Sequence, residues 1–193
     1  MTKKSIISLS VAAVVVIWLV IDYNGLVSAE EKVASQWGNV QNVYQRRADL
    51  IPNLMATVKG YAEHERSTFE DLTNVRARAT QITVNADDLT PEKLREFQQT
   101  QSELSNALGR LIAITENYPD LKASQNFLEL QAQLEGTENR INVERRNFNE
   151  AAQKYNTKIR RFPTSILANN FGFNKKPYFE AETGSEAAPQ VQF

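Results

Sequence analysis

Arg47, Glu65, Gln101, Glu138 and Arg145 are the residues whose types and spacing could do chemistry. Each falls within a series of otherwise apolar positions three and four residues apart, the spacing of one helix face. Two acids and two bases on core-facing positions would neutralise one another, because a lone buried charge costs several kcal/mol. The alternative is that these positions lie where each face emerges from the core, with long side chains reaching solvent. Even when buried, such pairs suit the fixing of helix register better than catalysis. Glu138 and Arg145 stand about 10 Å apart along one helix, so both must look to another helix: Glu138 to Arg47, and Arg145 to Glu65. Arg47 and Glu65 are separated by about 27 Å of helix, so straight helices allow one of these pairs. Arg145–Glu65 is the expected one, because it lies away from Pro52.

Other chemistries lack their parts. Glu63-His64-Glu65 invites a metal, but a helical-bundle metal site needs Glu-x-x-His from two helices, and Tyr61 occupies the Glu position before His64. His64 is the sole histidine and cysteine is absent, which excludes disulfides, thiolate metal sites and a Cys nucleophile. There is no Gly-rich phosphate loop and no arguable Ser-His-Asp set, so neither an enzyme nor a bound cofactor or metal is expected. The pairs Arg46-Arg47, Arg145-Arg146 and Arg160-Arg161 could meet anionic headgroups near a membrane. Their acidic neighbours favour a solvated, salt-bridged face. With a net charge of −1 and no basic block, the chain has no electrostatic footprint for nucleic acid.

The elements that must position these residues are helices. Trp37, Val40, Tyr44, Arg47, Ile51, Leu54, Val58, Tyr61, Glu65, Thr68, Leu72, Val75 and Ala79 form one series whose phase is unbroken across Pro52. A loop would have no reason to keep that phase, so the spacing predicts one kinked helix over 28–83. A new helix capped by Asp49 is the alternative. After a turn at 84–90, Thr90-Pro91-Glu92 reads as N-cap, first turn and acidic start. The second series is Leu94, Phe97, Gln101, Leu104, Leu108, Leu111, Thr115 and Tyr118, ended by Pro119. The third helix starts near Leu121 and carries Phe127, Gln131, Leu134, Glu138, Ile141, Arg145, Phe148, Ala152, Tyr155 and Ile159, ended by Pro163. The fold class is therefore all-α: three long helices in an antiparallel up-and-down bundle, or four if the first splits at Pro52 or residues 164–173 form a short helix. Residues 164–180 read as irregular but too aromatic for a free tail, so they should fold back on the bundle. Residues 181–193 read as a disordered tail.

At the N-terminus, Lys3 and Lys4 precede an uncharged run from Ser5 to Ile21, closed by Asp22. As a helix this run is about 25 Å long, enough for a thin hydrocarbon core. Trp18 and Tyr23 suit the interface. The small-residue pattern Val27-Ser28-Ala29 suggests a cleaved signal instead, but the run is long for one and stands apart from that site. A retained anchor at 1–22 is the reading, with the bilayer as partner through residues 5–21 and a single domain at 23–180. The lysines favour a cytoplasmic N-terminus and an extracytoplasmic domain.

Several segments are recognisable together: YNGLV at 23–27, QRRADLIPNLMATVKGYAEHE at 45–65, YPDLKA at 118–123, LEGTENRINVERRNFNEAAQKY at 134–155, RFP at 161–163 and the GF…YFE ending at 172–180. On these the chain resembles the LemA family of bacterial membrane-anchored proteins, over roughly residues 22–180. Phe148 stands where that family often has Tyr, and Met55 where Val is frequent. The resemblance implies a four-helix bundle behind one transmembrane helix in the bacterial inner membrane, and it brings no established enzymatic activity with it. The relatives include proteins needed for magnetosome membranes. A non-catalytic scaffold or adaptor of the cell envelope is the expected function, with envelope proteins or a second copy of the chain as partners. A membrane-organising factor is the alternative, and a hydrolase lacks every usual signature.

Overall fold

The computed structural model describes residues 3–62 and 64–180. Among these residues the regular elements are all helical. Glu63, and the tail expected to be disordered at 181–193, lie outside them.

Helix α1 runs from Lys3 to Lys59, 57 residues and about 85 Å, so the apolar N-terminal run and the first amphipathic series are one rod. It passes through Pro52. Proline has no N–H to donate to the carbonyl four residues earlier, that of Ala48. Arg76 fills the vacancy, its Nε donating to the Ala48 carbonyl at 2.7 Å.

The expected single helix over 28–83 is corrected: α1 ends at Lys59, and α2 spans Arg66–Gln81. The break falls at Gly60, not at Pro52. A mid-helix glycine loses the most backbone entropy, while the proline costs one bond that a neighbour replaces. The amides of Tyr61 and Ala62 both turn back to the Val58 carbonyl. Below the break, the buried residues are Ala62, Phe69, Leu72, Val75 and Ala79, whereas Tyr61 is exposed and Glu65 partly so. Counting polar Glu65 and Thr68 as members of the series had carried its period through a turn.

Helix α3, Pro91–Thr115, begins at the Thr90 cap, whose hydroxyl accepts the Lys93 amide at 3.3 Å. It buries Leu94, Phe97, Gln101, Leu104, Leu108, Leu111 and Thr115. The third long helix starts later than expected. A one-turn corner, α4 (Pro119–Lys122), precedes it, and α5 spans Gln125–Arg160 from a Ser124 cap. Thr164–Phe171, read as irregular with a short helix over 164–173 as the alternative, is helix α6. Gly172 ends it at φ 78°, a left-handed turn that side chains disfavour, and residues 173–180 leave without regular structure.

Side-chain contacts give the directions. Glu30 meets Tyr155 and Arg47 meets Glu138, so α5 runs back along α1. Arg78 meets Glu103 and Asp71 meets Arg110, so α3 runs back along α2. Two apolar cores result. The lower one, nearer the apolar N-terminal run, is built on Leu26, Trp37, Tyr44, Phe97, Phe148, Tyr155, Leu167 and Phe179. The upper one is built on Ile51, Leu54, Leu72, Leu104, Leu111, Leu121, Phe127 and Leu134.

Candidate functional site

Between the two cores lies a polar layer centred on Arg47. On α1 the lower core ends at Tyr44 and the upper begins at Ile51; on α3 the limits are Phe97 and Leu104, and on α5 they are Ile141 and Leu134. Arg47, Gln101 and Glu138 occupy the intervening level on the three helices. Arg47 is 1% exposed. Its Nη1 donates to Ser105 Oγ and to Glu138 Oε1, each at 2.7 Å. Its Nη2 donates to the side-chain and main-chain oxygens of Gln101 at 2.7 and 3.0 Å. The Tyr44 ring lies 5.1 Å beneath the guanidinium carbon. Gln101 in turn donates to the Ala79 carbonyl of α2 at 3.4 Å, tying a fourth helix to the layer. The Glu138 side chain is 41% exposed, so the ion pair has one end in water. That lowers the desolvation cost a wholly buried pair would carry.

The four charged positions read from the sequence part company. Arg47 and Glu138 meet. Glu65 stands at the N-cap position of α2, with no capping bond from its side chain, beyond the upper core, while Arg145 lies seven residues along α5 toward the lower core. The expected Arg145–Glu65 pair is thus replaced by Arg47–Glu138. With Glu30 opposite Tyr155 and Arg47 opposite Glu138, each step up α1 is a step back down α5. Arg145 therefore travels away from Glu65. Its Nη2 donates to the Glu180 carbonyl at 2.9 Å, and its guanidinium lies 5.0 Å from the centre of the Phe179 ring.

Outside the layer, α3 and α5 stand apart and leave a groove of about 1340 Å³, lined among others by Arg95, Ser102, Asn106, Asn142 and Arg145, with Arg47 and Glu138 at its floor. His64 is exposed in the Gly60–Glu65 turn, away from this groove. Among the described residues no three His, Asp or Glu side chains gather to hold a metal ion. The groove offers amides, hydroxyls and guanidinium groups, which suit hydrogen bonding to a polypeptide.

A second set of functional side chains escaped the sequence reading. Asn149 Nδ2 donates to the Phe179 carbonyl at 3.0 Å, and its Oδ1 accepts the Phe179 amide at 2.8 Å. Asn156 does the same for Lys176, at 2.8 and 2.9 Å. Each asparagine satisfies both main-chain groups of one residue in the strap formed by 173–180, as a neighbouring strand would. On α1, Trp37 Nε1 and Gln41 Nε2 both donate to the Val84 carbonyl, at 2.7 and 3.0 Å, and pin the connection before α3. A signal was present: Asn149 and Asn156 are one heptad apart beside the apolar series.

At the foot of the lower core, Lys176 Nζ lies 2.9 Å from Glu30 Oε1, and the Tyr155 hydroxyl lies 3.4 Å from the same oxygen. Burial, followed by the charge and hydrogen bond of Glu30, pushes the Tyr155 phenol well above its ordinary range.

The LemA family model matches residues 36–193. Magnetosome protein MamQ of Magnetospirillum gryphiswaldense is 27% identical over 193 residues, covering 90% of this chain and 71% of the relative. MamQ 1 of Paramagnetospirillum magneticum is 26% identical over 185 residues, covering 87% and 68%. Protein LemA of Metamycoplasma hominis is 27% identical over 158 residues, covering 82% and 68%. With the family model spanning most of its length, this chain belongs to the LemA family.

Proposed function

We propose that the chain is a non-catalytic, membrane-tethered scaffold or adaptor of the bacterial cell envelope, which binds extended segments of partner proteins or of a second copy. In this reading residues 1–22 anchor it in the inner membrane and residues 23–180 form one up-and-down helical bundle outside the cytoplasm. Arg47 and Glu138 set the register of the helices; Glu65 and Arg145 serve the surface. The observation that carries the reading is a ladder on α5. Asn156 and Asn149 already hold an extended backbone, and Asn142, one heptad further, stands in the groove wall. A helix face that grips main chain at two rungs offers a third to an extended segment, with the groove to receive its side chains.

The test is a photo-crosslinking residue at position 142 in intact membranes. Discrete adducts with envelope proteins or with a second copy are expected. Adducts confined to the chain itself would overturn the reading. Protease added to spheroplasts is expected to digest the domain, and protection until permeabilisation would reverse the orientation.

A membrane-organising role is the second reading, favoured by the exposed apolar residues around α6 and by relatives named as magnetosome proteins. Reshaping of liposomes by the full chain, without crosslinked partners, would put it first.

A further inference from the structure

Every large apolar side chain described between Ile7 and Ile17 on α1 is exposed, as a bilayer span requires. Beyond the span, the most exposed apolar residues are Phe162 at 82%, Phe171 at 61% and Ile166 at 53%. All three belong to α6 or its entry. They stand at the level where the span ends. Tyr23 packs edge-on against Phe171 at 5.2 Å and Phe173 at 5.8 Å. Trp18 and Leu19, inside the apolar run, pack against the lower core to which Leu167 and Ala168 of α6 belong. The antiparallel register agrees: it brings Ile159 toward Leu26, and a Cβ on Gly25 would meet the Lys158 amino group. The end of α5 is therefore level with Tyr23. Exposed Arg160 and Arg161 immediately precede Phe162, and exposed Lys175 follows α6.

From this placement we infer that Phe162 and α6 form a second membrane contact, seating the bundle on the lipid surface with Phe162, Ile166 and Phe171 in the interfacial zone and Arg160, Arg161 and Lys175 toward anionic headgroups. The inference rests on the anchor reading. Apolar side chains inside a basic rim, beside the end of a span, match the chemistry of that zone. A lipid occupant also explains why Ile166 stays uncovered while Leu167 and Ala168, on the opposite face of α6, are buried.

Because the chain has no cysteine, single cysteines can be spin-labelled cleanly. The full chain, one copy per nanodisc of mixed zwitterionic and anionic phospholipid, is labelled in turn at positions 14, 128, 162, 166 and 171. The readout is the ratio of oxygen to nickel-chelate accessibility, which rises with depth in lipid. Label 128, at an exposed leucine near the far end of α5, reports water. Ratios at 162, 166 and 171 severalfold above that at 128, and below that at 14, are expected. Ratios at 162, 166 and 171 equal to that at 128, with 14 deep, would overturn this inference alone. A label at 14 as accessible to nickel as 128 would overturn the anchor reading instead. Arg160→Gln with Arg161→Gln is expected to make the three labels shallower on anionic discs and leave them unchanged on purely zwitterionic ones; an equal effect on both would remove the headgroup part of the inference.

Discussion

The two cores of this protein close themselves in different ways. The upper core is enclosed by helices: the end of α1, α2, α3, the α4 corner and the start of α5, with leucine as its commonest residue. The lower core has no helix equivalent to α2. It is aromatic, and two segments outside the α-helices close it, residues 82–90, with one 3-10 turn at Ala86–Asp88, on one side and 173–180 on the other. A helix satisfies its own backbone and needs only an apolar face. A strap brings unpaired N–H and C=O groups to a core surface, and something on the helices must meet them. Gln41, Asn149 and Asn156 do so, which is why polar side chains flank the more aromatic core.

The largest effect should come from the layer that divides the cores. Arg47→Ala removes a buried side chain and strands the oxygens of Gln101, so a loss of about 3–5 kcal/mol is expected. Denaturant titration in detergent, read by the emission of buried Trp37, measures it. Glu138→Gln keeps an acceptor at a half-exposed position and should cost less than half as much. Equal costs would mean that the charge, not the packing, joins the cores.

Asn149→Ala and Asn156→Ala test the claim that straps need amide partners. Each should cost about 2 kcal/mol by leaving one N–H and one C=O unpaired. Amide exchange should accelerate at Phe179 and Lys176 respectively, and protection around Leu104 should persist. Loss of protection in both cores together would show them to be one cooperative unit.

In the upper half, Arg76→Ala should cost about 1–2 kcal/mol by leaving the Ala48 carbonyl bare. In a Pro52→Ala background the new amide can take that carbonyl, so the cost should shrink. Additive effects of the two substitutions would show that Arg76 does not compensate for the proline.

The smallest effect concerns pH. Tyr155 holds its proton more tightly when folded than when unfolded, so its contribution is complete below about pH 10 and declines as the unfolded phenol ionises above it. The urea midpoint should fall as the pH rises from about 10 to about 11.5, and Tyr155→Phe should flatten that fall. An unchanged slope would remove the Glu30–Tyr155–Lys176 contact from the energetics of the lower core.

Much of this was legible in the residues. The series from Leu94 to Thr115 and from Phe127 to Ile159 mark faces that are buried, apart from the partly exposed polar members, because side-chain spacing along one helix is a local property. The Thr90 cap is local as well; the unbroken phase indicated the passage of α1 through Pro52, although the partner for the Ala48 carbonyl, Arg76, comes from α2. The same rule misled at Glu65, where a three-four spacing crossed Gly60 although the chain had turned. It offered a short helix over 164–173 only as an alternative, and it read the return of 164–180 to the bundle from its aromatic residues without the partners that order it, Asn149 and Asn156 meeting Phe179 and Lys176 across the fold.

By itself, then, the sequence determined which faces are apolar, where helices can start, that one N-terminal segment is apolar enough to span a bilayer, and the family. Tertiary structure decided which charges meet. Arg47 finds Glu138, and Arg145 turns to Glu180, because partner choice depends on the axial register of antiparallel helices. That register is set by the length of every intervening turn and by the packing of both cores, and no spacing within a single helix encodes it.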